Sequence, residues 1–147
     1  MPVKQSGTTW WNSAKKPASN SDFYNELAEW CEQLGPTEQR RGFDRVIREL
    51  AEFGECHEDA QKDVASQWIT MLAESGAFES AAVAMIPPSA TFSGGRMKDG
   101  SFVAQVIPEG SAGAHSRNAS SLSMAWLAAL LRSFARQSAE AMGASTH

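Results

Sequence analysis

Residues 91–107 read TFSGGRMKDGSFVAQVI and decide the fold of the C-terminal half of the chain. Two segments with the composition of strands, 91–97 and 101–107, flank the turn Lys98-Asp99-Gly100. Asp-Gly between two extended segments is a strong hairpin signal, because glycine tolerates the positive φ that a type I′ turn requires. We therefore predict a β-hairpin with its turn at Asp99-Gly100.

A strongly apolar segment follows the hairpin after a Pro- and Gly-containing loop at 108–114. Residues 120–134 read SSLSMAWLAALLRSF, and alanine and leucine are the residues that favour a helix most. We predict a helix from about Ser120 to Glu140, capped by Asn118 or Ser120. Its predicted core stripe consists of Leu122, Trp126, Ala129, Leu130 and Phe134.

Three helices are predicted before the hairpin, within residues 21–76. Apolar side chains recur at helical spacing over about 22–34, 37–53 and 58–74, and glycine-containing breaks separate these runs. Thr37 is the predicted cap of the second helix. The stripes expected to face inward are Phe23, Leu27, Trp30 and Leu34 in the first helix, Phe43, Val46, Ile47, Leu50 and Phe53 in the second, and Val64, Trp68, Met71 and Leu72 in the third.

Residues 79–86 are compatible with either a buried strand or a helix. We favour a short helix, because Phe78, Ala82 and Met85 are spaced by four and three residues and because alanine favours helix over strand. Pro87-Pro88 must end it, since proline has no amide donor and restricts the residue before it.

Together these elements predict an α+β fold with N-terminal helices, a β-hairpin or small antiparallel sheet, and a long C-terminal helix packed on it. We divide the chain into a flexible tail at 1–20, a helical segment at 21–76 and an α–β–β–α unit at 77–140, and expect the last two to pack as one domain. A two-stranded sheet alone is marginal in water, so helices must cover it or another strand must extend it. Strand 102–107 carries no charge and would be a poorly defended edge, so we predict a homodimer.

The charge of the chain is unevenly distributed. Residues 1–79 hold 8 Lys and Arg against 14 Asp and Glu, whereas residues 80–147 hold 5 against 3, and the net charge is −4. An acidic helical half does not favour a phosphate backbone, so nucleic acid is not the expected partner. The alternative is a nucleic-acid-binding helix face formed by Arg40, Arg41, Arg45 and Arg48, although the acids between them are typical of a solvated, salt-bridged surface.

The densest cluster of reactive residue types is Cys56-His57-Glu58-Asp59. Adjacent residues on a helix do not face each other, and acids are common at a helix start, so we expect neither a metal site nor a cofactor. A second alternative is a small hydrolase in which Cys56 and His115 form a nucleophile–base pair. Our main prediction is a chain without enzymatic activity.

The chain carries two cysteines and no membrane-spanning pattern. Cys31 and Cys56 are too few for a disulfide framework, and we expect both to be reduced. No apolar run reaches the ~20 residues that a membrane span needs, and Met1–Gly7 lacks an apolar leader. We therefore expect a cytoplasmic location and no membrane partner.

Two short segments are candidate binding sites. Trp10 and Trp11 lie in the predicted tail, where they either fold back on the domain or anchor a protein partner. His115, Arg117 and Asn118 precede the last helix, where they form either an ordinary loop and cap or a small anion site at the helix N-terminus.

Three segments carry a resemblance to a known family. They are AAVAMIPP at 81–88, FVAQVIP at 102–108 and ASSLSMAWLAALLR at 119–132. In this order they resemble small phage and prophage domains with an α–β–β–α sandwich plan, over about residues 78–136. Family members often carry Gly-Trp where this chain has Ser89-Ala90-Thr91-Phe92. The resemblance implies an accessory protein of a phage, prophage or plasmid and supplies no established activity. The function we expect is a non-enzymatic one, binding to a protein partner.

Overall fold

The computed structural model describes residues 20–53 and 59–145, and it confirms the predicted α+β fold. The elements, in chain order, are α1 (Asn20–Glu32), a 3-10 turn (Pro36–Glu38), α2 (Gln39–Phe53), α3 (Asp59–Glu74), α4 (Phe78–Met85), β1 (Thr91–Arg96), β2 (Phe102–Ile107), β3 (Ala114–His115) and α5 (Leu122–Ser145). The ambiguous segment at 79–86 is therefore helical as far as Met85, and Ile86 is already extended. Trp10, Trp11, Cys56 and His57 lie outside the described residues.

Helix α5 forms the centre of the molecule. Between Ser123 and Ala135 nearly every side chain is buried, on all sides of the helix, because α1 packs along it and the sheet covers another side. A helix that is apolar all round belongs in a core, and the predicted single stripe underestimated this burial. The cap is Ser121, whose hydroxyl accepts the Met124 amide at 3.4 Å, and not Asn118 or Ser120.

The hairpin is confirmed, but its turn is not of type I′. A type I′ turn needs positive φ at two residues, whereas Gly100, at φ 90°, is the one residue of the turn in that region. The Gly100 amide donates to Met97 O at 3.0 Å, and the Met97 amide donates to Ser101 O at 2.7 Å. This is a three-residue loop, which requires a left-handed conformation only at its last residue.

The sheet has three antiparallel strands in the order β1-β2-β3. Strand β3 comes from the segment predicted as the end of a loop, and its residues Ala114 and His115 pair with Val106 and Gln105. Strand β2 is therefore central, and the prediction that it is an exposed edge is wrong. The long exposed edge belongs to β1, all six residues of which are exposed.

The inward faces of two N-terminal helices differ from the predicted stripes. In α1 the buried residues include Tyr24, Ala28 and Cys31, while Phe23 and Trp30 are half-buried. In α3 the face toward α2 and α4 carries Ile69, Leu72 and Ala73, and the predicted inward residues Trp68 and Met71 are exposed. The second helix begins differently too: Thr37 lies inside the 3-10 turn, and the Glu38 carboxylate accepts the Gly35 amide at 2.9 Å.

None of the helices within the described ranges is both long and apolar enough to cross a membrane.

Candidate functional site: exposed surfaces and charged clusters

The predicted arginine face of α2 packs around Trp30 of α1. The guanidinium carbon of Arg45 lies 4.4 Å from the centroid of the Trp30 ring, and that of Arg41 lies 5.6 Å away. A cation–π contact attracts a guanidinium to the face of the ring, so these two arginines hold their positive charge beside Trp30. Together with Asp44 and Arg48, these residues line an open cavity of about 340 Å³.

Carboxylates within the chain already pair with this arginine face. Arg45 Nε lies 2.8 Å from Glu49 Oε2, and Arg41 Nη1 lies 3.1 Å from Glu38 Oε2. Arg40 reaches a carboxylate of α3 at 4.0 Å. A phosphate group would have to displace these acids, so the geometry offers less free positive charge than the four arginines alone suggest.

The strongest charged contact of the described chain is internal and buried. Two of the three guanidinium nitrogens of Arg132 donate to the Glu32 carboxylate, with Nη2–Oε1 at 2.7 Å and Nε–Oε2 at 3.0 Å. Their side chains are only 14% and 5% exposed, respectively. The Arg117 backbone amide donates to Glu32 Oε2 at 2.8 Å. Glu32 thereby joins the end of α1, the segment after β3 and the middle of α5.

The three residues of the predicted anion site lie in three different surroundings. His115 lies on β3, where its Nε2 is 3.5 Å from the Gln105 amide nitrogen. The backbone amide of Arg117 binds Glu32, so the anion at this position is a carboxylate of the chain itself. Asn118 lines a shallow groove of about 530 Å³ beside the hairpin turn. The structure does not bring these three residues together around one anion, so an external anion site here stays a prediction.

Burial shields the one cysteine that the structure describes. Cys31 is fully buried, and desolvation raises the pKa of its thiol from 9.0 to about 12. A thiol with such a pKa is a poor nucleophile at neutral pH. The hydrolase alternative uses Cys56, which lies outside the described residues, so the structure does not test that pair.

The structure shows two exposed apolar surfaces, and sequence reasoning missed the first of them. The first, which we call the α3 patch, consists of Trp68 and Met71, which are 53% and 54% exposed. The second lies at the hairpin and contains Phe92 and Met97. The sequence does contain a signal for the α3 patch, because a second stripe, Ile69, Leu72 and Ala73, also has helical spacing. If this stripe faces inward, Trp68 and Met71 face outward.

No family model, curated protein or solved structure matches this chain. Among residues 20–53 and 59–145, the structure brings no three His, Cys, Asp or Glu side chains together as a possible metal site.

Proposed function

We propose that this chain is a non-enzymatic accessory protein that acts by binding another protein, and that the α3 patch forms part of the contact surface. The observation that carries the proposal is the exposure of Trp68 and Met71 one turn apart on α3. Residues three apart on a helix are neighbours, so the two side chains form one continuous surface. Tryptophan is enriched among the residues that dominate binding energy, and methionine adapts its shape to a partner.

The other tryptophans of the described chain support this assignment by contrast. Trp30 is covered by the guanidinium groups of α2. Trp126 packs edge-to-face against Phe92 at 5.8 Å, and its indole nitrogen donates to Ser93 O at 3.3 Å. Trp68 is more than half exposed. Leaving so large an apolar surface in water is unfavourable, and a bound partner would remove that cost.

The proposed setting is the cytoplasm of a cell that carries a phage, prophage or plasmid. It rests on the resemblance of residues 78–136 to small phage domains and on no other observation. Self-association as a dimer belongs to the same proposal. Nucleic-acid binding through the Arg40–Arg48 face remains the alternative, and the acids paired with that face count against it.

The test is capture of a partner by the full chain and by two variants. Trp68→Ala removes the centre of the α3 patch, and Gln67→Ala changes an exposed neighbour on the same helix. We expect the wild type and Gln67→Ala to capture the same protein and Trp68→Ala to lose it. With that partner purified, Trp68→Ala should weaken the affinity at least about tenfold, as at a typical hot spot.

Two results would contradict the proposal. One is a partner that Trp68→Ala binds within about twofold of the wild type, the change expected for a surface residue outside an interface. The other is loss of binding in Gln67→Ala and Trp68→Ala alike, which would indicate a general disturbance of α3. Equal melting temperatures of the three proteins are the control for folding.

A further inference from the structure

The backbone groups of β1 alternate between the hairpin and the open edge. On β2, the Phe102 amide and carbonyl bond with Ala119, and the Ala104 carbonyl accepts the Ser116 amide at 2.8 Å. These groups of β2 therefore point away from β1. Because successive residues of a strand point their backbone groups to opposite sides, Val103 and the residues two and four positions after it bond with β1.

The register then identifies the free groups. Thr91, Ser93 and Gly95 lie opposite the β2 residues that point toward β1, so they complete the hairpin. The amides and carbonyls of Phe92, Gly94 and Arg96 point to the outer edge. No described element covers this edge, and all of β1 is exposed.

This edge lacks the usual protection against pairing. Natural edge strands carry lysine, proline or a bulge, or a helix or loop covers them. The ladder of β1 with β2 is continuous from Thr91 to Arg96, and Arg96 is the strand's one charged residue. Gly94 and Gly95 carry no side chain that would keep another backbone away.

We propose that the partner of this edge is β1 of a second copy of the chain, paired antiparallel across a two-fold axis at Gly94. In this register Gly94 lies opposite Gly94 of the second copy, and Phe92 lies opposite Arg96 of the second copy. Every outward-pointing residue is then in a hydrogen-bonded pair. The two three-stranded sheets become one continuous sheet, and the interface is isologous, as two-fold symmetry requires.

The side chains fit the same register. Phe92, Gly94 and Arg96 share one face of β1, and residues directly opposite in an antiparallel pair are neighbours. The guanidinium of Arg96 would therefore lie beside the Phe92 ring of the other copy, a favourable cation–π arrangement. The two Arg96 residues would be about 13 Å apart along the strands, so like charges are not opposed.

Trp126 is placed to join the same interface. A Cβ built on Gly94 would lie 3.1 Å from Trp126 Nε1, so the indole lies over the residue at the proposed axis. The exposed ring of Phe92 packs against this indole. A second copy would bring its own aromatic pair to the axis and bury part of both, which gives the interface an apolar centre.

The inference rests on the proposed self-association and not on the α3 patch, so each can fail without the other. The test measures the mass of the full chain by light scattering, from low micromolar concentration to the solubility limit. We expect the wild type to rise from 15.9 kDa toward twice that value. A wild type that stays monomeric throughout overturns the inference, whether or not its edge binds a peptide from another protein.

A single proline distinguishes this interface from any other. Arg96→Pro removes an amide that the hairpin does not use, and proline is tolerated at an edge whose N–H faces solvent. Gly95 before it is already extended, as a residue before proline must be. Arg96→Pro should weaken dimerisation at least about tenfold, because it removes a hydrogen-bond donor and the cation from each copy. In dilute, monomeric protein its melting temperature should match that of the wild type.

Arg96→Lys, which keeps the amide and a positive charge, is the matched control and should dimerise like the wild type. A wild-type dimer that survives in Arg96→Pro has its interface elsewhere and contradicts the inference. Should Arg96→Pro fail to fold, hydrogen exchange of the wild type decides. The amides of Phe92, Gly94 and Arg96 must gain protection as the dimer forms, and a dimer without that gain overturns the proposed pairing.

Discussion

Helix α5 and strand β1 pack against each other and have opposite surroundings. From Ser123 to Ala135, α5 is enclosed by α1, α4 and the sheet. Strand β1, which lies against the start of α5, is exposed along its whole length. The contrast separates two tasks: α5 provides most of the core, and β1 provides surface at an open edge.

The residues of the two elements explain the difference. Alanine, leucine and methionine lie on every side of α5, so their apolar surface is removed from water only if the helix is packed on every side. Strand β1 has Thr, Ser and two glycines among its six residues, which offer little apolar area to bury. A long apolar helix therefore organises the fold, while a glycine-rich strand beside it stays available for contacts.

The largest expected contrast is between one core residue of α5 and one residue of β1. Leu127 is fully buried, so Leu127→Ala should lower the free energy of unfolding by about 3–4 kcal/mol. Phe92 is 42% exposed, and Phe92→Ala should cost about 1 kcal/mol, chiefly the contact with Trp126. Urea melts of both variants check this, and equal losses would show that the contrast in burial has no energetic counterpart.

The second prediction compares two ion pairs of α5. Glu32→Ala leaves Arg132 buried without its carboxylate and should cost about 3 kcal/mol. Glu140→Ala breaks the exposed pair with Arg136, at 3.3 Å, and should cost less than about 0.5 kcal/mol. Chemical denaturation of the two variants measures the difference. A Glu32→Ala loss as small as that of Glu140→Ala would mean that the buried pair does not join α1 to α5.

The third prediction compares two glycines of the hairpin. Gly100 has φ 90°, so a β-branched residue there is strained, and Gly100→Val should cost about 1–2 kcal/mol. Gly95 has no positive φ, and a Cβ there meets nothing within 4 Å, so Gly95→Val should be neutral. Thermal melts decide: a turn located elsewhere would leave Gly100→Val as stable as the parent.

The smallest expected effect concerns pH. Burial raises the folded-state pKa of Cys31 from 9.0 to about 12. The contribution of this thiol to the free energy of unfolding is therefore complete below about pH 9 and is lost as the pH rises toward 12. Between pH 8 and pH 10 the wild type should lose about 1 kcal/mol more than Cys31→Ala does. Denaturant melts at the two pH values test it, and parallel losses in both proteins would mean that the thiol ionises as freely as in the unfolded chain.

Local patterns predicted the hairpin, the helical character of α4 and α5, and the fold class. The Asp-Gly turn, the proline pair and the alanine- and leucine-rich run each act over a few residues. Strand β3 escaped prediction because its two residues have no periodicity of their own and form a strand only by pairing with the middle of β2. Two caps were predicted for α5, Asn118 and Ser120. The observed cap, Ser121, lies three residues after the first and one residue after the second.

The candidate surfaces were harder to predict, because exposure depends on what packs nearby. Trp68 and Met71 fit an inward stripe as well as Ile69 and Ala73 do, and only the contacts of α3 with α2 and α4 select the smaller pair. The arginine face was found from the sequence, but its pairing with Glu74 of another helix was not. Where Trp10 and Trp11 lie stays a prediction.

Residue-resolved hydrogen exchange on dilute, monomeric protein tests the contrast between α5 and β1 most directly. Amides from Ala125 to Leu131 should exchange only through global unfolding, because they lie in the buried turns of α5. On β1, the amides of Phe92, Gly94 and Arg96 should exchange close to the rate of an open strand, while Ser93 and Gly95 are protected by β2. Exchange in α5 as fast as at the outer edge of β1, or protection of the three outward amides at high dilution, would contradict this account.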